Sequence, residues 1–282
     1  MSNVLITGSS GFVGKVLMSE LQKENISAQG IDIADGFDIT DFSTLEKFTD
    51  IDCIVHLAAK SFVPDSFTKP RDFYQTNISG TLNVLELARK HNASVIFFSS
   101  YLYGAPEYLP INEEHRLDPH NPYAQSKLIG ESLCCAYHRD FGVPVIIFRP
   151  FNIYGKNQNS DFLIPTIIKQ CESGLIRLKD SRPKRDYIHV SDVAKAICLA
   201  VKKQNSNLEI FNLGTGVSFS VKEIVELIIN NFAKVINVEY DNKQRKNEVL
   251  DCYADITKMK NYFGWTPQVS LSEGLKSILN KE

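Results

Sequence analysis

The feature that most restricts this chain lies near its start. An apolar run, Val4-Leu5-Ile6-Thr7, passes directly into Gly8-Ser9-Ser10-Gly11-Phe12-Val13-Gly14 and then into a helical pattern. A strand that turns on glycines and restarts as a helix is the geometry of a phosphate-binding βα unit. One glycine permits the tight turn, one lets the backbone approach a pyrophosphate, and one lets the helix pack closely on the strand. The helix N-terminus then presents unpaired N–H groups and a positive dipole end to the phosphates. Asp32 ends the second strand, 18 residues after Gly14. A carboxylate there accepts both ribose hydroxyls of an adenosine and repels a 2′-phosphate, so NAD(H) is favoured over NADP(H). Asp38 and Ile39 are expected beside the adenine.

The rest of the first half repeats the strand–helix alternation. Val4–Thr7, Ala28–Asp32, Cys53–His56, Val95–Ser99 and Val145–Phe148 are short runs rich in β-branched residues. Between them lie helical stretches, Phe12–Lys23, Pro70–His91 and Tyr123–Phe141. Such alternation predicts right-handed βαβ units and a parallel sheet covered on both faces. After Arg149-Pro150 the pattern loosens into helices at Phe162–Cys171, Val221–Asn230 and Leu271–Leu279, separated by short strands and polar turns. The expected organisation is a nucleotide-binding domain over 1–150, to which 186–204 returns, and a smaller substrate domain over 151–282.

Composition narrows the function by exclusion. A formal net charge of −2 gives no pull toward nucleic acid or an anionic membrane. No apolar run approaches the roughly 20 residues needed to span a bilayer. The N-terminus enters a strand without a basic and apolar leader, so a cytoplasmic location is expected. The six cysteines form no C-x-x-C pair and sit in apolar stretches, which predicts core packing and no metal site.

Tyr123 and Lys127 stand at i and i+4 on a predicted helix and therefore share a face. A free tyrosine titrates near 10, too high for efficient proton transfer at neutral pH. A neighbouring ammonium favours the phenolate. Ser99 and Ser100, at the carboxyl end of a strand, are placed to add a hydroxyl where ligands of parallel α/β sheets bind. Alone, Y-x-x-x-K is a frequent accident. Behind a glycine turn and a strand-end Ser-Ser it reads as a proton-handling group.

These residues, in this order, resemble the extended short-chain dehydrogenase/reductase family, which comprises nucleotide-sugar epimerases, dehydratases and reductases. The resemblance rests on TGSSGFVG at Thr7–Gly14, HLAA at His56–Ala59, TNISGTLNVLE at Thr76–Glu86, FFSSYLYG at Phe97–Gly104 and NPYAQSK at Asn121–Lys127. It continues through RPFNIYG at Arg149–Gly155, RDYIHVSDVAKA at Arg185–Ala196, FNLGTG at Phe211–Gly216 and FGWTP at Phe263–Pro267. It implies an α/β fold of Rossmann type, with a doubly wound parallel sheet and a smaller, partly interleaved C-terminal domain for the sugar nucleotide.

By motif, Gly8, Gly11, Phe12 and Val13 would face the cofactor pyrophosphate, Leu57, Ala58 and Ala59 would line its groove, and Asn77 would lie near the nicotinamide. Ser99, five residues before Gly104, takes the place of the family's catalytic Ser or Thr. Tyr123 would be the acid/base, and Lys127 would bind the nicotinamide ribose and tune that tyrosine. Ser100 and Tyr101 would face the sugar. Asn152, Arg185 and Arg245 look like contacts to the base or diphosphate, where arginine's planar fork suits an anion. The resemblance also implies a homodimer with a four-helix interface built from Pro70–His91 and Tyr123–Phe141.

Two departures shape the expected activity. Family dehydratases usually carry an acid three residues before the glycine of the Y-G pair, and here that position is Tyr101. Elimination of water is therefore set aside. The segment Lys179–Lys184 is more basic than is usual before the R-D motif. Two activities at sugar C4 remain: a 4-ketoreductase of a 4-keto-6-deoxyhexose, and a 4-epimerase with tightly held NAD. RPFN-x-x-G-x-x-Q through Gln158, with Phe162 and Gln170, and HLAAKSFVPDS at His56–Ser66 look more like GDP-hexulose reductases. Asp32 fits the epimerases equally well. A non-catalytic NAD-binding member would have lost Tyr123 or Lys127.

Overall fold

A computed structural model of the chain describes residues 3–203, 206–241 and 248–280. In chain order the elements are β1 (Val4–Thr7), α1 (Phe12–Lys23), β2 (Ala28–Ile31), α2 (Phe42–Leu45), β3 (Cys53–His56), α3 (Val63–Thr68), α4 (Pro70–Tyr74), α5 (Gly80–His91), β4 (Ser94–Phe98) and α6 (Pro122–Phe141). They continue with β5 (Val145–Pro150), β6 (Asn152–Tyr154), α7 (Leu163–Ser173), β7 (Leu175–Leu178), β8 (Lys184–His189), α8 (Val190–Lys202), β9 (Leu208–Leu213), β10 (Ser218–Ser220), α9 (Val221–Ile229), β11 (Asn237–Tyr240), α10 (Thr257–Phe263) and α11 (Leu271–Leu279). The chain divides into two units.

The first unit comprises Met1–Gly104, Arg116–Pro150 and Val193–Asn212. Its six-stranded sheet has the order β2-β1-β3-β4-β5-β9, and the pairings among β1 to β5 are parallel. β1 and β3 are buried at every residue, as central strands covered on both faces must be. The strand order reverses at β1 and β3, which makes their carboxyl ends the expected ligand crevice. Leu5, Ile54, Val84, Leu85, Phe97 and Ile147 belong to the core between sheet and helices.

The long helix foreseen over Pro70–His91 is interrupted. Gln75–Ser79 winds as a π-helix between α4 and α5, a wider turn that the apolar spacing does not encode. α6 is bounded by local chemistry: the Asn121 side chain accepts from Ala124 N, Pro122 takes the first turn, and Gly142 closes it in the left-handed region.

The second unit comprises Ala105–His115, Phe151–Asp192 and Leu213–Glu282. The segment returning to the first unit thus begins at Val193, later than residue 186, because β8 pairs with β6 and β10 inside the second unit. β7 and β11 form a separate parallel pair. Ile164, Ile167, Ile176, Ile224, Ile228 and Leu275 belong to the core of this unit. Helices α9 and α11 both start with a capping box, Ser220 with Glu223 and Ser270 with Glu273. Among the described residues, no helix is long and apolar enough to cross a membrane, and no cluster of metal-ligating side chains occurs.

Candidate active site

The glycine turn is built for close approach. Gly8 has φ +76°, and a Cβ there would lie 2.7 Å from Ala58 N. A side chain at Gly14 would collide with the backbone of Gly8 and Ser9, so this third glycine lets α1 start directly against the strand end. Gly11 is exposed, and Phe12 and Val13 are partly exposed at the head of α1. Leu57, Ala58 and Ala59, after β3, are also partly exposed, and Ala58 N donates to Thr7 Oγ1 (3.2 Å).

Asp32 accepts Ser10 N at one carboxylate oxygen (3.1 Å) and Ala34 N at the other (3.0 Å). It therefore fixes the glycine turn against the end of β2. Asp38 is turned on Thr40, accepting both its N–H and its hydroxyl. The Ile39 side chain is 5% exposed, sits in the core and abuts Gly80. An apolar side chain at this position is better satisfied there than in a polar groove.

The Asn77 side chain is engaged by three hydrogen bonds. Its Oδ1 accepts Lys60 N (2.9 Å), and its Nδ2 donates to Lys60 O (3.0 Å) and Ser126 Oγ (2.9 Å). It ties the loop after β3 to α6. A directed chain of hydrogen bonds leads to it. Thr81 Oγ1 donates to Asn77 O, so it accepts from His56 Nε2, and His56 Nδ1 accepts from Thr7 Oγ1. His56 is consequently the neutral Nε2–H form, and burial, with the Lys127 charge adding to it, pulls it down to about 3.

The two strand-end serines divide. Successive side chains at a strand end point to opposite sides, and here Ser99 points inward: it is 2% exposed and donates to Glu131 Oε1 (2.5 Å). Ser100 is the serine hydrogen-bonded to the Tyr123 hydroxyl. Ser99, where the catalytic hydroxyl was expected, is thus turned to Glu131, and Ser100 is the serine beside Tyr123. Counting back from Gly104 does not separate the two because the loop between strand and Y-G pair decides the register, and spacing alone does not show that loop.

Tyr123 packs edge-on against Phe73, with ring centroids 6.5 Å apart. Burial pushes its hydroxyl up to about 12; the Ser100 hydrogen bond works against the rise and Tyr101 adds to it. Lys127 Nζ donates to Phe98 O (2.6 Å) and lies over the Phe97 ring. A nearby ammonium would lower the Tyr123 pKa. Burial acts on this hydroxyl in the direction that favours the protonated phenol.

In the second unit, Asn152 Nδ2 donates to Asp186 O (3.2 Å). Arg185, foreseen as an anion contact, is drawn instead to Glu248 (2.7 Å) and to the carbonyls of Lys184 and Val249. Arg245 lies outside the described residues. Sequence reasoning missed Glu131 and Arg149, which form a buried bidentate ion pair (Arg149 Nη2 to Glu131 Oε2, 2.7 Å). Glu131 follows Lys127 by four residues, and that spacing was the available signal.

Comparison with known proteins accounts for this arrangement. Residues 4–214 match the NAD dependent epimerase/dehydratase family. A putative UDP-glucose 4-epimerase of Methanocaldococcus jannaschii is 33% identical, over 98% of this chain and 97% of its own length. The GDP-6-deoxy-D-mannose reductase of Pseudomonas aeruginosa is 29% identical, over 98% of this chain and 96% of its own. The solved structure of RMD from Pseudomonas aeruginosa complexed with NADPH superposes with a TM-score of 0.90 at 27% identity, covering 99% of this chain and 98% of that one. A Rossmann-type sheet, a phosphate-binding turn and a Ser-Tyr-Lys group on the first unit thus stand in a chain that belongs to the NAD dependent epimerase/dehydratase family, whose enzymes are nucleotide-sugar epimerases, reductases and dehydratases.

Proposed function

We propose that the protein is an NAD(H)-dependent oxidoreductase acting at C4 of a nucleotide-activated hexose, and specifically a 4-ketoreductase of an NDP-4-keto-6-deoxyhexose. The observation that carries this reading is the placement of Tyr123 beside the Ser100 hydroxyl and one turn from Lys127 on α6. A reduced nicotinamide held here would supply the hydride for the C4 carbonyl carbon. Ser100 then donates a hydrogen bond to the reacting oxygen, and Tyr123 gives that oxygen its proton as general acid. Lys127, on the same face of α6, orients the ribose. The glycine turn and the head of α1 hold the pyrophosphate.

Asp32 supports NAD(H) over NADP(H), since a 2′-phosphate would meet its carboxylate and that of Asp35, which accepts Ser10 Oγ (3.5 Å). Titrating both cofactors is expected to give tighter binding of NAD(H); equal affinity, or a preference for NADP(H), would remove Asp32 from the site. Leu82 on α5 and Phe141 on α6, both large and exposed, support a homodimer through these helices.

A second reading, a 4-epimerase, is favoured by the relative at 33% identity, which is named as one. Two measurements separate them. Turnover of UDP-, GDP-, dTDP- and CDP-sugars and their 4-keto derivatives identifies the substrate. Absorbance of the purified protein shows whether nicotinamide is retained, as an epimerase requires, or released at every turnover. Absence of turnover with every member of the panel would overturn both readings.

A further inference from the structure

Three ionisable side chains are buried together in the first unit, each 3% exposed: Lys127 and Glu131, one turn apart on α6, and Arg149 in β5. Glu131 Oε1 accepts from Ser99 Oγ and from Arg149 Nε (3.0 Å), and Oε2 accepts from Arg149 Nη2 (2.7 Å). Arg149 Nη1 continues to the Tyr103 hydroxyl (3.2 Å), which donates to Asn212 Oδ1. One carboxylate therefore ties three elements together. It holds the end of β4, where Ser99 precedes Ser100; the helix that carries Tyr123 and Lys127; and the neighbouring strand β5.

The same carboxylate faces Lys127 electrostatically. The lysine's partners from β4 are neutral, the Phe98 carbonyl and the Phe97 ring. Burying an ammonium on neutral partners disfavours its charge, and burial pulls Lys127 down to about 8, with Cys134 and Glu131 opposing that fall. Cys134 is itself pushed well above the ordinary thiol range by burial, so it is neutral here. From β3 the nearby titratable group is His56, also neutral. Arg149 is paired with Glu131. Glu131 is left as the negative charge that sustains the ammonium.

We propose that Glu131 is a positioning residue, which sets Ser100 and Tyr123 in register through β4 and α6 and keeps Lys127 cationic. Its catalytic consequence rests on the C4 chemistry proposed above; its electrostatic part does not. The lysine can be read directly by NMR on protein labelled with 13C at lysine Cε. Ordinary lysines titrate near 10.4, so a signal with a midpoint near 8 that is lost in Lys127→Met belongs to Lys127.

In Glu131→Gln that midpoint is expected to fall by about one unit or more, the usual effect of losing a close opposite charge. Ser99→Ala, which cuts only the tie to β4, is expected to leave it in place. Should the unpaired Arg149 prevent Glu131→Gln from folding, Glu131→Gln/Arg149→Met removes both charges, and the same fall is expected. An unchanged midpoint in either folded variant, or a parental midpoint near 10.4, would overturn the proposal and leave Glu131 as a structural ion pair. With a substrate in hand, the alkaline limb of kcat/KM should move down with the midpoint. Failure of the substrate panel would refute the C4 assignment while leaving the NMR result standing.

Discussion

Glu131 in the first unit and Asp186 in the second are both buried acids, yet they are held in opposite ways. Glu131 is bonded by side chains, one of them a guanidinium. Asp186 is bonded chiefly by backbone: Thr215 N (2.8 Å), Gly216 N (2.9 Å) and Ala254 N (3.2 Å), with the Thr215 hydroxyl added. Burial raises the Asp186 pKa, and those hydrogen bonds oppose it. An acid that gathers amides from three loop positions fastens the chain. An acid that gathers charged and reactive side chains arranges a site. The buried polar groups of the first unit crowd the carboxyl ends of its strands, whereas Asp186 and Asp192, which accepts Gln268 N and Val269 N, brace loops.

The sharpest break would come at the proposed reacting pair. Tyr123→Phe removes one oxygen and keeps the ring against Phe73, so folding and cofactor binding should survive while kcat falls by about 10²–10⁴. Ser100→Ala should cost less, since it removes a hydrogen bond to the reacting oxygen and leaves the proton donor. Turnover near the parental rate by Tyr123→Phe, with cofactor bound, would refute the mechanism.

Asp186→Ala tests the other side of the comparison. It strands three amides and a hydroxyl, and should lower the unfolding free energy in urea by about 3 kcal/mol or more. A loss below about 1 kcal/mol would show that Asp186 does not fasten these loops.

The smallest effect expected is one of pH. His56 is held neutral, with a folded-state pKa near 3 against 6.5 for a free imidazole. Below 6.5 the unfolded chain binds a proton that the folded chain refuses, so stability falls as pH drops from 6.5 toward 3. The slope is about 1.4 kcal/mol per unit, or about 2 kcal/mol by pH 5. Unfolding measured from pH 7 to pH 4 should show this slope, and His56→Gln should flatten it. Equal slopes in both proteins would place the acid sensitivity elsewhere.

Much of the fold was legible because it is written in local pattern. Alternating apolar runs and helical stripes marked β1 to β5, α1 and α6 to within a few residues, and the glycine turn announced its own geometry. The site was legible where spacing is short: Tyr123 and Lys127 share a helix face whatever surrounds them. Reading failed where a partner lies far along the chain. Whether Ser99 or Ser100 meets Tyr123 depends on Glu131, and Arg185 is engaged by Glu248, across distances that periodicity does not reach. The π-helix at Gln75–Ser79 was invisible for a related reason: the bonds from Asn77 to Lys60 and Ser126 brace that turn, and they are tertiary.

The return of Val193–Asn212 to the first unit has a consequence for how the chain is made. Within the sheet, β5 lies between β4 and β9, but roughly sixty residues separate Pro150 from Leu208, which at about 5–20 residues per second of synthesis is a delay of about 3–12 s. Throughout that interval the nascent sheet ends on β5, apolar from Val145 through Phe148, whose outer edge is an open template for pairing with other chains. The ribosome must deliver Phe151–Asp192 of the second unit before the first can close, so the edge of β5 is where aggregation during expression should begin.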